Sequence, residues 1–245
     1  MSRQKFGQHF LIKGSILERI AAAVCPSDCP LVIEIGPGRG ALTEKLLKRA
    51  TRVIAVEIDR DLVAYLRQRF AGDRRLEVIE ADVLNVDLAQ WGLAPIAGNL
   101  PYYITSPILE KVTRLAFPRA VFLIQKEVAD RLTASPGHRD YGFLTVQTSL
   151  FATVRKLFDV GPSAFRPPPK VDSAVVLLEP LAAHVDHPEE LVRFIGLCFQ
   201  HKRKTLRNCL IDAYGKDRID IWPEASLRAE QIPLEKFIEM YRRLV

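Results

Sequence analysis

The alternation of short apolar runs with helical patterns, which begins at Leu31, is the feature that most constrains the fold of this chain. The apolar runs are rich in β-branched residues and almost uninterrupted, as are strands that are buried on both faces of a sheet. Between them, apolar residues recur at helical spacing. This alternation predicts an open, mostly parallel α/β sheet. The predicted strands are LVIEI, RVIAVEI, LEVIEA, APIAG and AVFLIQ, and the predicted helices are ALTEKLLKRA, DLVAYLRQRF and PILEKVTRLA.

The pattern changes in the second half of the chain. The segments FLTVQTSLFATVRKLFDV and VDSAVVLLEP follow each other without a long helix between them, and they predict a late antiparallel hairpin at the edge of the sheet. The proline-rich stretch GPSAFRPPPK is expected to form the loop between them. Three helical segments follow, ELVRFIGLCFQHKRKTLRNCLIDAYG, PEASLRAEQI and PLEKFIEMYRRL. We therefore expect an α/β domain over residues 1–183 and a small all-α domain over residues 184–245.

The composition is typical of a soluble globular protein, with 48% hydrophobic and 26% charged residues. No apolar run approaches the ~20 residues that a membrane-spanning helix needs. Near the N-terminus, Lys13, Glu18 and Arg19 interrupt any apolar core of a signal peptide. We therefore expect a cytoplasmic protein that has no membrane partner. We also expect it to act as a monomer.

The four cysteines do not have the spacing of a metal site. Cys25 and Cys29 lie four residues apart, which alone would allow a zinc ligand pair. Cys198 and Cys209, however, lie eleven residues apart in a predicted helix and cannot complete such a set. The sequence therefore predicts reduced structural thiols and no metal.

Basic residues exceed acidic ones by 35 to 29, and the excess is concentrated in two segments. Residues 1–17 and residues 198–211 contain no acidic side chain. Two unopposed basic segments are typical of a protein that binds a polyanion such as nucleic acid, although a solvated helix face is an alternative explanation. The basic residues are Arg3, Lys5 and Lys13 in the first segment and Lys202, Arg203, Lys204 and Arg207 in the second.

A glycine-rich loop, EIGPGRGALTEKLL, joins the first predicted strand to a helix. Its glycines, Gly36, Gly38 and Gly40, lie where open α/β sheets bind ligands, at the carboxyl end of a parallel strand. The loop also fits the dinucleotide pattern, with Glu57 twenty-one residues after Gly36 to accept a hydrogen bond from a ribose hydroxyl. At this point a nicotinamide dinucleotide remains an alternative cofactor.

The form E-x-G-x-G-x-G, which begins at Glu34, resembles the first motif of class I S-adenosylmethionine methyltransferases, whose glycines admit the methionine part of the cofactor. A second acid, Asp82, ends the third predicted strand. It is placed to accept a hydrogen bond from the amine of an adenine, while Glu57 accepts from the ribose. Ile58 and Val83, which follow these acids, are assigned to the same cofactor site.

The fourth predicted strand ends in Asn99-Leu100-Pro101-Tyr102. A nucleobase amine is a poor nucleophile because its lone pair is delocalised into the ring. The Asn99 side-chain carbonyl and the Leu100 backbone carbonyl can accept its hydrogens and draw the nitrogen towards tetrahedral geometry, while Pro101 stiffens the turn and donates no N–H. Tyr102 can stack on the base, a contact worth about 1–3 kcal/mol. A strand-to-loop turn rich in turn formers is the alternative interpretation.

Several longer stretches resemble the family of ribosomal RNA adenine N6,N6-dimethyltransferases of the small-subunit type. These stretches span nearly the whole chain and are KFGQHFL, EIGPGRGALT, VIAVEIDRDL, GNLPYYI, LIQKEVADRL, SAFRPPPKVDSAV and FQHKRKTLRN. The resemblance implies a Rossmann-like class I methyltransferase fold and S-adenosyl-L-methionine as cofactor. It also implies dimethylation of two adjacent adenosines in the 3′-terminal hairpin of small-subunit ribosomal RNA, with the small ribosomal subunit as partner and a role in its biogenesis.

The same resemblance implies that Gln8, His9 and Leu11 line the cofactor site together with Asn99. The chain departs from the family pattern at two places. The family usually has Asn where this chain has His9, and often Asn where it has Tyr103. The first departure puts the predicted contact of His9 with the cofactor in question.

The resemblance further implies that Phe165, in SAFRPPPK, faces Tyr102 across the target adenine; a loop aromatic that fills the edge of the core is the alternative. The segment FQHKRKTLR would hold RNA phosphates, with Arg203 and Arg207 one turn apart on a helix. Two other functions remain open, an adenine methyltransferase of large-subunit RNA and a non-catalytic nucleic-acid-binding protein on the same fold.

Overall fold

The computed structural model describes residues 9–181 and 187–245. The strands are β1 Phe10–Leu11, β2 Val32–Ile35, β3 Val53–Glu57, β4 Leu76–Glu80, β5 Ile96–Asn99, β6 Ala120–Gln125, β7 Ala152–Val160, β8 Phe165–Arg166 and β9 Ser173–Pro180. The helices are α1 Gly14–Val24, α2 Ala41–Leu46, α3 Arg60–Arg69, α4 Thr105–Thr113, α5 Lys126–Leu132, α6 Phe143–Phe151, α7 Pro188–Phe199, α8 Leu206–Tyr214, α9 Lys216–Ile219 and α10 Leu234–Arg242.

Within the described residues, seven strands form one sheet in the order β4-β3-β2-β5-β6-β9-β7. The five strands from β4 to β6 pair in parallel, and β9 pairs antiparallel with β6. Every residue of β2 and β3 is buried, as the uninterrupted apolar runs require. The predicted α/β fold, a mostly parallel sheet with an antiparallel edge, is therefore confirmed. The strand order reverses between β2 and β5, which creates a crevice at their carboxyl ends.

A second, two-stranded sheet pairs β1 with β8, and the sequence did not predict it. Phe10 lies opposite Arg166 and Leu11 lies opposite Phe165. The Ile12 N–H extends this ladder by donating to the carbonyl of Ala164 at 2.8 Å. The segment GPSAFRPPPK, expected to be a loop, therefore holds the chain next to residue 9 in place.

The predicted edge hairpin is correct in position but wrong in its first half. Residues Phe143–Phe151 form the helix α6, and the strand begins only at Ala152. The β-branched and aromatic residues of FLTVQTSLF favour a strand locally, but tertiary packing overrides that preference. As a helix, the segment buries Val146 and Leu150 in an apolar cluster with residues of α7 and α10.

Two predicted helices of the C-terminal region are also wrong in extent. The segment ELVRFIGLCFQHKRKTLRNCLIDAYG is split, because α7 ends at Phe199 and α8 begins at Leu206. Arg203 lies in the intervening turn and not one helical turn before Arg207 on a helix. The segment PEASLRAEQI forms two short 3-10 helices. Both α7 and α8 bury apolar faces in one cluster, so the chain reverses in the polar stretch between them.

Contacts between Cα atoms divide the chain into two compact units. The first contains the described residues up to Ala129 together with Val154–Pro180. The second contains Asp130–Thr153 and the described residues from Leu181 onward. The predicted boundary between residues 183 and 184 lies outside the described residues. One boundary at that place would assign residues 130–153 to the first unit. These residues belong to the second unit because α6 packs with the C-terminal helices.

All four cysteines are free and buried. None of the helices in the described parts of the chain combines the length and apolar character needed to cross a membrane. Over the same residues, no group of three or more His, Cys, Asp or Glu side chains could hold a metal ion.

The contact between β2 and β5 depends on a glycine. A Cβ atom at Gly98 would lie 2.5 Å from the backbone oxygen of Ile35 and 3.0 Å from Cδ2 of Leu100. Because the Ile35 oxygen belongs to a paired strand, it cannot move aside easily. We expect Gly98→Ala to lower the free energy of unfolding by about 1–3 kcal/mol, measured by urea denaturation.

Gly161→Ala is the matched control. Gly161 has a φ of −73°, which any residue adopts, and nothing lies within 4 Å of the position that a Cβ atom would take there. Its substitution should change the free energy of unfolding by less than about 0.5 kcal/mol. Equal unfolding curves for the two variants would contradict the close approach of the strands.

Candidate active site

An open cleft lies at the carboxyl ends of β2, β3 and β5. This is the position that the strand order favours for a ligand. From the predicted cofactor set, the residues that line it are His9, Gly36, Gly38, Glu57, Ile58 and Asn99. From the predicted catalytic set, they are Asn99, Leu100, Pro101 and Tyr102. Two motifs far apart in sequence thus share one cleft.

The glycine loop is held in place by Glu57. Gly36 and Gly38 have φ angles of +66° and +57°, a region that side-chain-bearing residues rarely adopt. Oε2 of Glu57 accepts the N–H of Gly38 at 3.1 Å, and Oε1 accepts the N–H groups of Ile58 and Asp59 at 3.0 Å each. The carboxylate therefore ties the end of β3 to the loop after β2.

Burial raises the pKa of Glu57, and the three backbone N–H donors oppose that shift because they stabilise the charged form. The Glu57 side chain lies at the wall of the cleft, although the residue is only 4% exposed. Each carboxylate oxygen has two acceptor positions, so one position on Oε2 is left after Gly38. That position is suited to a ligand hydroxyl.

Glu34 lies buried under the loop. Its Oε2 accepts a hydrogen bond of 2.6 Å from the Thr43 hydroxyl. Burial is the main reason that the pKa of Glu34 rises to about 8, and the charge of Glu57 adds to the rise. Glu34 lines a second, smaller pocket that shares Gly36, Gly38 and Asn99 with the cleft. The two cavities thus border the same glycine loop.

Asn99 has a side-chain acceptor that is not bonded by any residue the structure describes. Its Nδ2 donates to the backbone carbonyl of His9 at 3.0 Å, and because a carbonyl can only accept, this contact fixes which end of the carboxamide faces His9. Among the described residues, none donates to Oδ1 of Asn99 or to the Leu100 carbonyl. Two hydrogen-bond acceptors at the end of β5 are therefore open to a ligand.

Tyr102 follows these acceptors and is held at its hydroxyl. That hydroxyl lies 2.7 Å from Oγ of Ser173. Burial raises the pKa of the Tyr102 phenol, and the hydrogen bond with Ser173 partly offsets the rise. On the other side, the His9 ring stacks on the Tyr102 ring, with centroids 5.9 Å apart and planes inclined by 30°.

Phe165, which the resemblance places opposite Tyr102 across the target adenine, is not on the wall of the cleft in this structure. It is 3% exposed, packs in the core of the first unit and is absent from the lining of the cleft. The reason is its place opposite Leu11 in the ladder between β1 and β8, which turns it into the core. The ring that faces Tyr102 in this structure is that of His9.

The remaining predicted cofactor residues lie around the cleft and not on its wall. Asp82 begins a 3-10 turn, where its side chain accepts the Leu84 N–H at 2.9 Å, and Val83 is buried. Gly40 caps α2, and a Cβ there would meet the Phe70 ring at 2.6 Å. Leu11 borders the second pocket. Gln8 lies outside the described residues.

The cleft also contains residues that the sequence analysis did not assign. They are Phe10, Tyr103 and Ile104. Burial raises the pKa of Tyr103, and the charges of Asp82 and Glu57 add to the rise. All three residues lie in the stretches KFGQHFL and GNLPYYI, which the sequence analysis had already quoted. The sequence did not show that their side chains line the cleft.

In the second unit, the structure separates the predicted RNA-binding residues into two kinds. Lys202, Arg203 and Lys204 are exposed in the turn between α7 and α8, and none has a carboxylate partner among the described residues. Arg207 instead forms an ion pair with Asp220, with contacts of 2.6 and 3.3 Å. We call residues 202–204 the basic turn.

The raised pKa of Glu34 predicts a dependence of stability on pH. Between pH 4.5 and about 8 the folded protein holds a proton that the unfolded chain releases, so the free energy of unfolding falls as the pH rises. The fall from this group reaches at most about 1.4 kcal/mol per pH unit. Urea denaturation from pH 5 to 8 should show a shallower decline for Glu34→Gln. Glu77→Gln, at a partly exposed glutamate, is the control, and identical slopes for all three proteins would contradict the assignment.

Comparisons with known proteins agree with this arrangement. The sequence model of the family described as ribosomal RNA adenine dimethylase matches residues 1–244. A ribosomal RNA small subunit methyltransferase A from Bordetella petrii is 45% identical over 248 residues, covering 98% of this chain and 94% of the relative. The crystal structure of a dimethyladenosine transferase from Plasmodium falciparum has a TM-score of 0.80 at 28% identity and covers 95% of this chain and 96% of its own. That of the 23S rRNA methyltransferase ErmE has a TM-score of 0.71 at 28% identity, with coverage of 96% and 99%. The chain belongs to the ribosomal RNA adenine dimethylase family.

Proposed function

We propose that this protein uses S-adenosylmethionine to dimethylate the N6 amines of two adjacent adenosines in the 3′-terminal hairpin of small-subunit ribosomal RNA, as a step in subunit biogenesis. The observation that carries the proposal is the pair of open acceptors at the end of β5. Oδ1 of Asn99 and the carbonyl of Leu100 lie in the same cleft as the glycine loop. Family membership supports the same reaction.

The residues around the glycine loop fit the cofactor. A Cβ at Gly38 would approach the Phe10 ring to 3.1 Å, so only glycine leaves this backbone open to the cleft. Glu57 retains an acceptor position for the ribose, and the second pocket, which Glu34 helps to line, is proposed to take the methionine part. When bound, S-adenosylmethionine supplies a methyl group activated by its sulfonium charge. Asp82 and Ile58 are proposed to contact the adenine.

Asn99 and Leu100 then activate the target amine. Each accepts one amino hydrogen, which draws the nitrogen lone pair out of conjugation with the adenine ring. Since the carboxamide is already oriented by the His9 carbonyl, the acceptor needs no reorganisation when the base arrives. The raised pKa of Tyr102 keeps its phenol protonated at neutral pH, so its proposed role is to stack on the base and not to act as a base catalyst.

The basic turn is proposed to bind ribosomal RNA. Its three cations have no carboxylate partner among the described residues, so a phosphate that binds there displaces counterions and water and, at Lys202, competes with a 3.5 Å contact to the Arg139 carbonyl. The proposal includes a single copy of the chain that acts in the cytoplasm on the small subunit, and no role in it calls for a metal.

Two alternative functions predict different products in a methyl-transfer assay. An enzyme of the large-subunit type would modify a single adenosine in large-subunit RNA; the 28% identity to ErmE, against 45% to the small-subunit relative, favours the small-subunit target. A non-catalytic assembly factor would bind RNA without methyl transfer. Incubation with labelled S-adenosylmethionine and unmethylated small or large subunits, followed by nucleoside analysis, separates the three.

Asn99→Ala tests the catalytic assignment. Loss of one preorganised hydrogen-bonding group aimed at the reacting centre typically costs about 10²–10³ in rate, and we expect a loss of that size in methyl transfer to small subunits. RNA binding, measured by gel shift, should stay within about twofold because the phosphate contacts dominate affinity. Asn85→Ala, at an exposed asparagine outside the cleft, is the control. Unchanged turnover in Asn99→Ala would refute the proposed role.

If the basic turn binds RNA, the salt dependence of RNA affinity should change more on substitution within the turn than at Arg207. The plot of log affinity for RNA against log salt should become less steep by about 1 in Lys202→Ala and in Lys204→Ala, because each removes one phosphate contact. Arg207→Ala should change the slope less, since Asp220 already neutralises the Arg207 guanidinium. The control is Arg193→Ala, at an exposed position of α7. A slope that is equal in all five proteins would exclude the basic turn as the RNA contact.

A further inference from the structure

The 3-10 turn Val83–Asn85, here called the Leu84 turn, follows Asp82, the acid proposed to contact the cofactor adenine. Leu84 is bonded through both of its backbone polar groups. Its N–H donates to Oδ1 of Asp82 at 2.9 Å, and its carbonyl accepts a hydrogen bond of 2.9 Å from Nζ of Lys111. The carboxylate of Asp82 and the ammonium of Lys111 are thus connected through a single residue.

One oxygen of the Asp82 carboxylate is left for a ligand. Oδ1 holds the Leu84 N–H, and among the described residues no donor is bonded to Oδ2. A carboxylate oxygen accepts hydrogen bonds, so Oδ2 suits the amine of an adenine. Because Oδ1 is bonded to the backbone of the Leu84 turn, the direction of Oδ2 depends on where that turn lies.

Lys111 is half-buried, and its ammonium has no carboxylate partner within the described parts of the chain. A lysine usually keeps its ammonium in water, and fixing its flexible side chain costs conformational entropy. Its place in the last turn of α4 favours a cation through the helix dipole. The dipole does not explain why the ammonium bonds to a carbonyl of another segment, so the contact with the Leu84 turn needs a separate reason.

Helix α4 connects this bond to the acceptors at the end of β5. The helix packs against the Leu84 turn and also against the segment Tyr102–Ile104. Its first residue, Thr105, donates from its hydroxyl to the carbonyl of Pro101 at 3.0 Å. Lys111 lies six residues later, about 9 Å along the helix axis. One helix therefore joins the turn after the cofactor acid to the strand end that contains the acceptors.

We propose that Lys111 is a positioning residue that holds the Leu84 turn so that Oδ2 of Asp82 accepts the amine of the cofactor adenine. This inference rests on the proposed function, which supplies the cofactor. Lys111 itself does not touch the cofactor and acts through Leu84 and Asp82. Through α4, the same bond fixes the cofactor base relative to the acceptors of the target amine.

Binding of S-adenosylhomocysteine tests this role without methyl transfer. Isothermal titration calorimetry gives its Kd and that of its 6-deamino analogue, in which a hydrogen replaces the adenine amine. The analogue has no amine to donate to Asp82, and hydrogen bonds to charged groups are among the stronger ones. The wild-type protein should therefore bind S-adenosylhomocysteine at least about tenfold more tightly than the analogue.

In Lys111→Met this preference should fall at least about threefold, through weaker binding of S-adenosylhomocysteine and little change for the analogue. Lys111→Gln, whose side chain is one bond shorter, should give the same result and provides a second variant if the Met substitution unfolds the protein. Lys216→Met, at an exposed lysine of α9, is the control and should keep the wild-type preference. Urea denaturation verifies that each variant is folded.

A double-mutant cycle shows whether Lys111 acts through Asp82. Asp82→Ala removes the acceptor, so the addition of Lys111→Met to it should raise the Kd of S-adenosylhomocysteine by less than about 1.5-fold. In the wild-type background the same substitution should raise that Kd at least about threefold. Equal effects in both backgrounds would show that Lys111 acts independently of Asp82 and would overturn the inference.

The inference also fails if the wild-type protein binds both ligands equally, or if a folded Lys111 variant binds S-adenosylhomocysteine as tightly as the wild type. It fails as well if such a variant binds both ligands more weakly by the same factor, which is what a purely structural role predicts. Each of these results leaves the proposed methyl transfer intact. A wild-type protein that binds no S-adenosylhomocysteine would instead contradict the proposed function itself.

Discussion

The hydrogen bond from Nδ2 of Asn99 to the backbone carbonyl of His9 is the contact on which the arrangement of the active site depends. It decides which end of the carboxamide is left for a ligand. The carbonyl can occupy this place only because β1 pairs with β8 and thereby holds the chain next to residue 9 across the end of β5. A catalytic acceptor on one strand is thus oriented by two short segments far from it in sequence.

Two buried glutamates next to the glycine loop show how hydrogen-bond donors change the effect of burial on a carboxyl pKa. Glu57 keeps three backbone N–H donors, which stabilise its charge and fix the glycine loop. Glu34 has a single hydroxyl donor and almost no contact with solvent, so its pKa rises to about 8. The same rise in pKa is opposed by three donors at Glu57 and by a single hydroxyl at Glu34, so the two acids differ in how strongly their charged forms are stabilised.

The sheet and the positions of its motifs could be predicted because buried parallel strands need apolar runs and because ligand loops follow their carboxyl ends. The segment FLTVQTSLF was predicted wrongly and is a helix, because packing outweighs its strand preference. Two further features are visible only in the structure: Phe165 is buried opposite Leu11, and Arg207 forms an ion pair with Asp220. All three concern contacts between segments that are distant in sequence.

The sequence by itself determined the alternation of the five parallel strands with the helices between them, the glycine loop, the acid at the end of β3 and the acceptor motif at the end of β5, because each depends on local periodicity and local chemistry. Only the tertiary structure decided which groups are free to act. The direction of the Asn99 carboxamide, the ring that faces Tyr102 and the cations without an acidic partner are set by contacts across the fold. Such contacts follow from the packing of whole elements, and a local pattern contains no information about them.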